Sequence, residues 1–281
     1  MNVTGRGTKL LFCEGEPDSL DYRLLSRLLR GKPPTILVVP SGGKQGLRSF
    51  IRGRLAGYQS PPPYLAFRDR DFDVEPSADV LLIAPHQGKP LFHTHRAAIE
   101  NYLLDADLID NYWTTLAQNA PNWSHGTSPG VSDIRQWMNE AARQIASYEA
   151  IRWALSRLKP GDRWPEISTT WTEGSGCLPS SLAENDCIAR AKSLLADYQR
   201  VTSSISESHF VELYRHFSSR FAALEFIERA EYLVWFHGKD LAKAMQRLHP
   251  NSISMQHFCS WAVEHVDWRQ HADLRELAER V

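Results

Sequence analysis

The chain has 281 residues, a formal net charge of -1 at pH 7 and ordinary apolar and charged fractions. The near-neutral balance does not announce a nucleic-acid binder. No run of about 18 apolar residues is present for a membrane span, and no apolar leader opens the chain. The four cysteines (Cys13, Cys177, Cys187, Cys259) are scattered without metal-ligand spacing. They read as reduced thiols of a cytoplasmic protein, which argues against a disulfide or zinc framework.

The first hundred residues alternate between strand and helix patterns. Residues 9–13 predict a buried strand, with Glu14-Gly15-Glu16-Pro17-Asp18 directly behind it. Helix 18–30 follows, with a leucine stripe and Asp18 as its expected N-cap. Ile36-Leu37-Val38-Val39 predicts a second apolar strand, ended by Pro40 and the turn Ser41-Gly42-Gly43-Lys44. Helix 45–56 comes next, then a proline-rich linker into strand 64–68. Residues 79–84 and Leu91-Phe92-His93 predict two more strands. Continuous apolar strands alternating with helices argue for an α/β fold, a parallel sheet covered on both faces.

From about Ala97 the pattern turns mainly α-helical, with expected helices at 99–108, 132–158, 182–201, 208–236, 240–248, 254–266 and 273–280. Three regions are expected: a catalytic α/β domain over 1–105, a helical region over 106–235, and helices over 236–281 that return to the first domain. The connections 119–131 and 159–181 are long enough to be functional. All nine tryptophans lie after residue 110. Those on helices read as core, whereas Trp123, Trp164 and Trp171 in loops could stack on bases.

The acidic groups carry the chemistry. Phe67-Arg68-Asp69-Arg70-Asp71-Phe72-Asp73 follows an apolar strand, and in an extended chain residues two apart share a side. Like charges crowded there repel unless a cation lies between them. All-oxygen donors of this kind suit Mg²⁺ or Mn²⁺. The same stretch also reads as a plain solvated turn. Glu14 would lie at the end of a neighbouring strand, on the edge where α/β sheets gather ligands. Glu100, within Ile99-Glu100-Asn101-Tyr102-Leu103-Leu104, has three readings: it reaches the metal, it pairs with an arginine such as Arg96, or it faces water.

Other candidates concern phosphate. Gly42, Gly43 and Lys44 could cradle one with backbone N–H groups, or simply form a glycine turn. Lys239, after Gly238, could present a point charge to a phosphoryl group, or be an ordinary exposed lysine. Residues 1–60 hold ten Lys or Arg against four Asp or Glu. Arg23, Arg27, Arg30, Lys32, Lys44, Arg48, Arg52 and Arg54 therefore mark either a basic face for a phosphate backbone or a solvated one. His93 and His95 alternate along an extended segment without a zinc signature.

Together these residues resemble the TOPRIM catalytic domain: Glu14-Gly15 after the first strand, Gly42-Gly43 after the second, and Asp69-x-Asp71 with Asp73 behind after the third. The string 99–104 and Gly238-Lys239 are similar to segments of the OLD-like TOPRIM nucleases, nearest to the stand-alone TOPRIM effector subunit of the PARIS anti-phage system. The resemblance covers mainly residues 9–105. It implies a TOPRIM-like sheet and a Mg²⁺-dependent endonuclease, with Glu14, Asp69 and Asp71 on the metal. Asp18, Asp73 and Glu100 would complete a second site or orient water. Lys239 would act on the transition-state phosphate, and beside the resemblance the glycine turn and basic face keep Gly42, Gly43, Lys44 and Arg48 as candidates for the nucleic-acid backbone. It further implies DNA or tRNA as substrate and a separate ABC-type ATPase, and it leaves a homodimer open. The competing expectation is a TOPRIM-like binding module without chemistry, sequestered by such an ATPase.

Overall fold

The computed structural model describes residues 8–32, 35–43, 46–85, 88–120, 122–158, 167–172, 174–199 and 205–281. The chain divides into two compact units, one made of 1–103 and 257–281, the other of 104–256. Segment 236–256 thus belongs to the second unit, and the return to the first begins at His257.

The first unit is an α/β structure with a four-stranded parallel sheet in the order β2-β1-β3-β4. The strands are β1 (Lys9–Cys13), β2 (Ile36–Pro40), β3 (Tyr64–Arg68) and β4 (Leu91–His93). Their sequences are mainly apolar, which suits the buried central strand β1, whereas Leu37 of the edge strand β2 is exposed. Helices α1 (Leu20–Leu28) and α2 (Leu47–Leu55) link the first three strands. Leu10 and Phe12 of β1, Ala66 of β3 and Leu47 of α2 form a buried cluster, with Ile51 and Leu55 of α2 packed on it. The alternate residues Leu11 and Cys13 are fully buried as well.

Residues 79–84 do not form the expected strand. Only Ile83 makes a bridge, antiparallel to His93. Val80 and Leu81 are exposed, and the Leu82 N–H donates to the Glu276 carboxylate at 2.8 Å. The short helix α3 (Glu100–Leu103) is wholly buried. The helix expected over 99–108 breaks after it, because Asp105 caps a new helix, α4 (Ala106–Asn119), by accepting from the Leu108 N–H at 2.9 Å.

The second unit is helical. Helix α5 (Val131–Arg157) is its spine, with α6 (Glu184–Gln199) and α7 (Glu207–Phe221) beside it. The helix expected over 208–236 is three pieces: α7, α8 (Leu224–Glu228) and α9 (Tyr232–Trp235), followed by α10 (Gly238–Leu248). Trp153 stacks on Phe217 at 5.6 Å and donates its indole N–H to the Trp235 carbonyl at 3.0 Å. Beside this core, buried Arg152 pairs with Glu149 and Asp240 and holds the hydroxyls of Thr170 and Ser175 at 3.1 and 2.9 Å. Burial outweighs Arg152 and pushes the Glu149 carboxyl up to about 8.

Helix α11 (Met255–His265), a 3₁₀ turn (Trp268–Gln270) and helix α12 (Ala272–Arg280) close the chain. No described helix is long and apolar enough to cross a membrane.

Candidate metal and phosphate site

Parallel pairing decides which residues meet at the sheet edge. Cys13 of β1 lies opposite Phe67 of β3, so Glu14 emerges beside Arg68, one residue from Asp69. On the other side Cys13 lies opposite Pro40 of β2, so the glycine turn follows next to Glu14. Glu14, Gly42 and Asp69 therefore share the C-terminal edge of one sheet, where open α/β folds place their ligands.

The two turns are tied together. The Ser41 N–H donates to the Cys13 carbonyl and the Gly42 N–H to the Gly15 carbonyl, both at 3.0 Å. The Gly42 N–H is thereby committed, which corrects its assignment as a phosphate donor. Gly42 and Gly43 have φ values of 78° and 143°, so the turn needs glycine for its backbone. Lys44 lies outside the described residues.

Around Glu14 the acid that matters is Asp21, which sequence reasoning missed. Asp18 is exposed, with φ of 71°, and does not cap the helix. That left-handed residue lengthens the turn, so Ser19 occupies the N-cap position and Asp21 falls in the first turn of α1. There Asp21 accepts from the Gly15 N–H at 2.7 Å and from the Ser19 hydroxyl. The available signal was an acid in the first helical turn within reach of Gly15.

Asp69 is the electrostatic centre. Burial pushes its carboxyl well above the usual carboxylate range, and the charges of Glu100, Asp71, Glu14 and Asp21 push it the same way. Its Oδ1 accepts from the Ile99 N–H at 3.1 Å. Glu100 opens α3 and is buried, which overturns its water-facing alternative. Its charge also bears on the buried Cys259 thiol, whose pKa burial raises to about 12.

The chain does not stay extended after β3. Asp71 has φ of 49° and donates its N–H to the Ala97 carbonyl at 2.7 Å; the Asp73 N–H returns to the Arg70 carbonyl at 3.1 Å. This turn sends Asp73 to the guanidinium of Arg68, which corrects the expectation that three aspartates line one side. Arg70 turns fully inward onto the carbonyls of His95 and Val74 at 3.1 and 2.7 Å. His93 and His95 are buried, so neither lines a surface.

Of the basic residues on α1 and just beyond it, three serve the fold. Arg23 binds the Ser260 carbonyl at 2.8 Å, Arg27 the Val263 carbonyl at 3.0 Å and Lys32 the Ala278 carbonyl at 2.6 Å. Arg48, Arg52 and Arg54 of α2 are exposed. Lys239 belongs to the second unit, exposed in the first turn of α10, with its N–H donated to Nδ1 of the His237 cap at 3.3 Å. The loop tryptophans are engaged: Trp171 packs edge-on against Tyr148 at 5.1 Å and Trp123 against His125 at 4.9 Å. Trp164 lies outside the described residues.

Among the described residues, no three His, Cys, Asp or Glu side chains are drawn into one ligand shell. Four carboxylates nonetheless bear on the Asp69 carboxyl. An all-oxygen anionic set of that kind fits a hard divalent cation. Compared with known proteins, the chain matches no family model and no curated protein.

Proposed function

We propose that the chain is a Mg²⁺- or Mn²⁺-dependent endonuclease of the TOPRIM type that cleaves phosphodiester bonds in DNA or tRNA. The observation that supports this reading is that the parallel pairing of β1 and β3 sets Glu14 and Asp69 side by side at the C-terminal sheet edge, where the charges of Glu14, Asp21, Asp71 and Glu100 all bear on the buried Asp69 carboxyl. Such crowding is unfavourable in a chain that only folds, and favourable in one that holds a divalent cation.

In this reading Glu14, Asp69 and Asp71 hold the cation, and Glu100 and Asp21 orient them and the waters around them. When bound, the cation supplies an activated water and charge compensation at the scissile phosphate. The Ile99 N–H aims the Asp69 carboxylate, and the Gly15 N–H anchors Asp21. The exposed arginines of α2 draw in the phosphate backbone. By the same resemblance the protein is a cytoplasmic effector of anti-phage defence that works with a separate ABC-type ATPase.

The test is purified protein incubated with DNA and with tRNA, with Mg²⁺ or EDTA, beside Glu14→Gln and Asp69→Asn. Cleavage should require the cation and fall at least about a hundredfold in either variant. Asp69→Asn should melt no lower than the wild type in EDTA, because it relieves the crowding at that carboxyl, whereas Glu14→Gln also loses its contact to Arg68 and need only melt cooperatively. Undiminished cleavage in both variants would refute the nuclease assignment. Cation-independent partner binding with no cleavage by the wild type would favour the binding module.

A further inference from the structure

Arg68 ends β3 and reaches two of the candidate acids. Its Nε lies 3.7 Å from Oε2 of Glu14, and its terminal nitrogen pairs with Asp73. Its side chain is only 15% exposed. The contact to Glu14 is too long for a hydrogen bond. The Arg68 Nε is buried and donates to no acceptor among the described residues. A buried donor left unmade is unfavourable, so the guanidinium is hydrogen-bonded on its Asp73 side and held only by charge on its Glu14 side.

That position conflicts with a metal. A cation at the Mg–O distance of roughly 2 Å from Glu14 Oε2 would sit within about 6 Å of the guanidinium. Like charges that close, in a partly buried pocket, repel appreciably. We propose that Arg68 is an internal counter-ion that competes with the divalent cation for Glu14 and so sets the cation affinity of the site. The inference rests on the metal-site reading above. It assigns Arg68 a role opposite to that of its neighbours: they attract the cation, and it holds their charge in check.

Free Mn²⁺ followed by electron paramagnetic resonance measures the competition without reference to catalysis. Arg68→Gln keeps a polar side chain without charge, and Arg68→Met keeps an unbranched stem in the same packing. Both should bind Mn²⁺ at least about tenfold more tightly than the wild type, whereas Arg68→Lys stays near it. Adding Glu14→Gln to Arg68→Gln should abolish the gain. A purely structural role for Arg68 predicts weaker binding on its removal, never tighter. Wild-type or weaker affinity in whichever of the two neutral variants melts cooperatively would overturn the proposal while leaving the metal site standing. Failure of the wild type and both neutral variants to bind Mn²⁺ would overturn the proposal and the metal-site reading together.

Discussion

Gly15 is the residue on which the Glu14 turn closes. A Cβ at that position would come within 2.8 Å of the Asp21 carboxyl carbon and closer still to the Asp21 Oδ1 and the Ser19 hydroxyl oxygen. The Asp21 carboxylate also takes the Gly15 N–H, so neither group can retreat without breaking the anchor. Gly15→Ala should therefore lower stability by roughly 2 kcal/mol, a fall in Tm of about 5 °C, read by thermal melting. An unshifted melt would mean that the turn is slack and that Asp21 is not its anchor. This level of detail was half legible in the sequence. Glu14 and Asp69 follow from strand ends, because buried apolar runs announce themselves. Asp21 does not, because choosing it over Asp18 depends on one left-handed residue that displaces the helix start. Asp73 is lost for the same reason, since the turn at 70–73 breaks the period-two alternation.

At the scale of elements, the apolar pattern over 208–236 continues through a boundary that only the backbone records. The Glu231 N–H donates to the Phe226 carbonyl at 2.9 Å and the Ala230 N–H to the Ile227 carbonyl at 3.0 Å. These two bonds are the Schellman ending of a helix, with Ala230 in the left-handed position at φ of 51°. Glycine normally marks that position in a sequence, so alanine hides the stop. Ala230→Gly should relieve the Cβ clash and stabilise the protein by about 1 kcal/mol, net of the greater freedom glycine gives the unfolded chain. Denaturant titration with an unchanged slope would measure it. A loss of stability would show that the αL strain at Ala230 is negligible. The opposite error occurs at 79–84, where an apolar run reads as a strand. Its Val80 and Leu81 find no neighbouring strand and stay exposed.

At the scale of the molecule, the sheet unit is assembled from both ends of the sequence. The Lys9 ammonium binds the Val281 carbonyl at 2.8 Å, and Asp273 of α12 accepts from the His95 N–H at 3.0 Å and from the Tyr102 hydroxyl. Asp273 is fully buried, and Leu274 and Leu277 beside it are core residues. The segment His95–Tyr102 that Asp273 holds is the one that donates the Ile99 N–H to Asp69 and carries Glu100. The C-terminal helices thus reach the acidic site through the Asp273 carboxylate, at a sequence separation of 178 residues, and through Cys259 near Glu100. A helical pattern at 273–280 is readable in the sequence, but nothing there says which loop its aspartate will meet. Removing residues 257–281 would strip Arg23, Arg27 and Lys32 of their carbonyl partners, leave the His95 N–H and the Tyr102 hydroxyl without the Asp273 carboxylate and take away the buried Leu274 and Leu277, a loss beyond the several kcal/mol that hold a typical domain. Hydrogen exchange should then show the amides of β1 and β3 unprotected in the 1–256 chain. Helix α5, whose packing partners α7 and α10 lie within 104–256, should keep its protection. Asp273→Asn in the full chain separates the two roles of the segment. It leaves the apolar packing in place and weakens only the anchor of the 95–102 loop. Protection of β1 should survive it while Mn²⁺ affinity falls. Wild-type protection of β1 and β3 in the 1–256 chain would show instead that the sheet stands without its C-terminal helices.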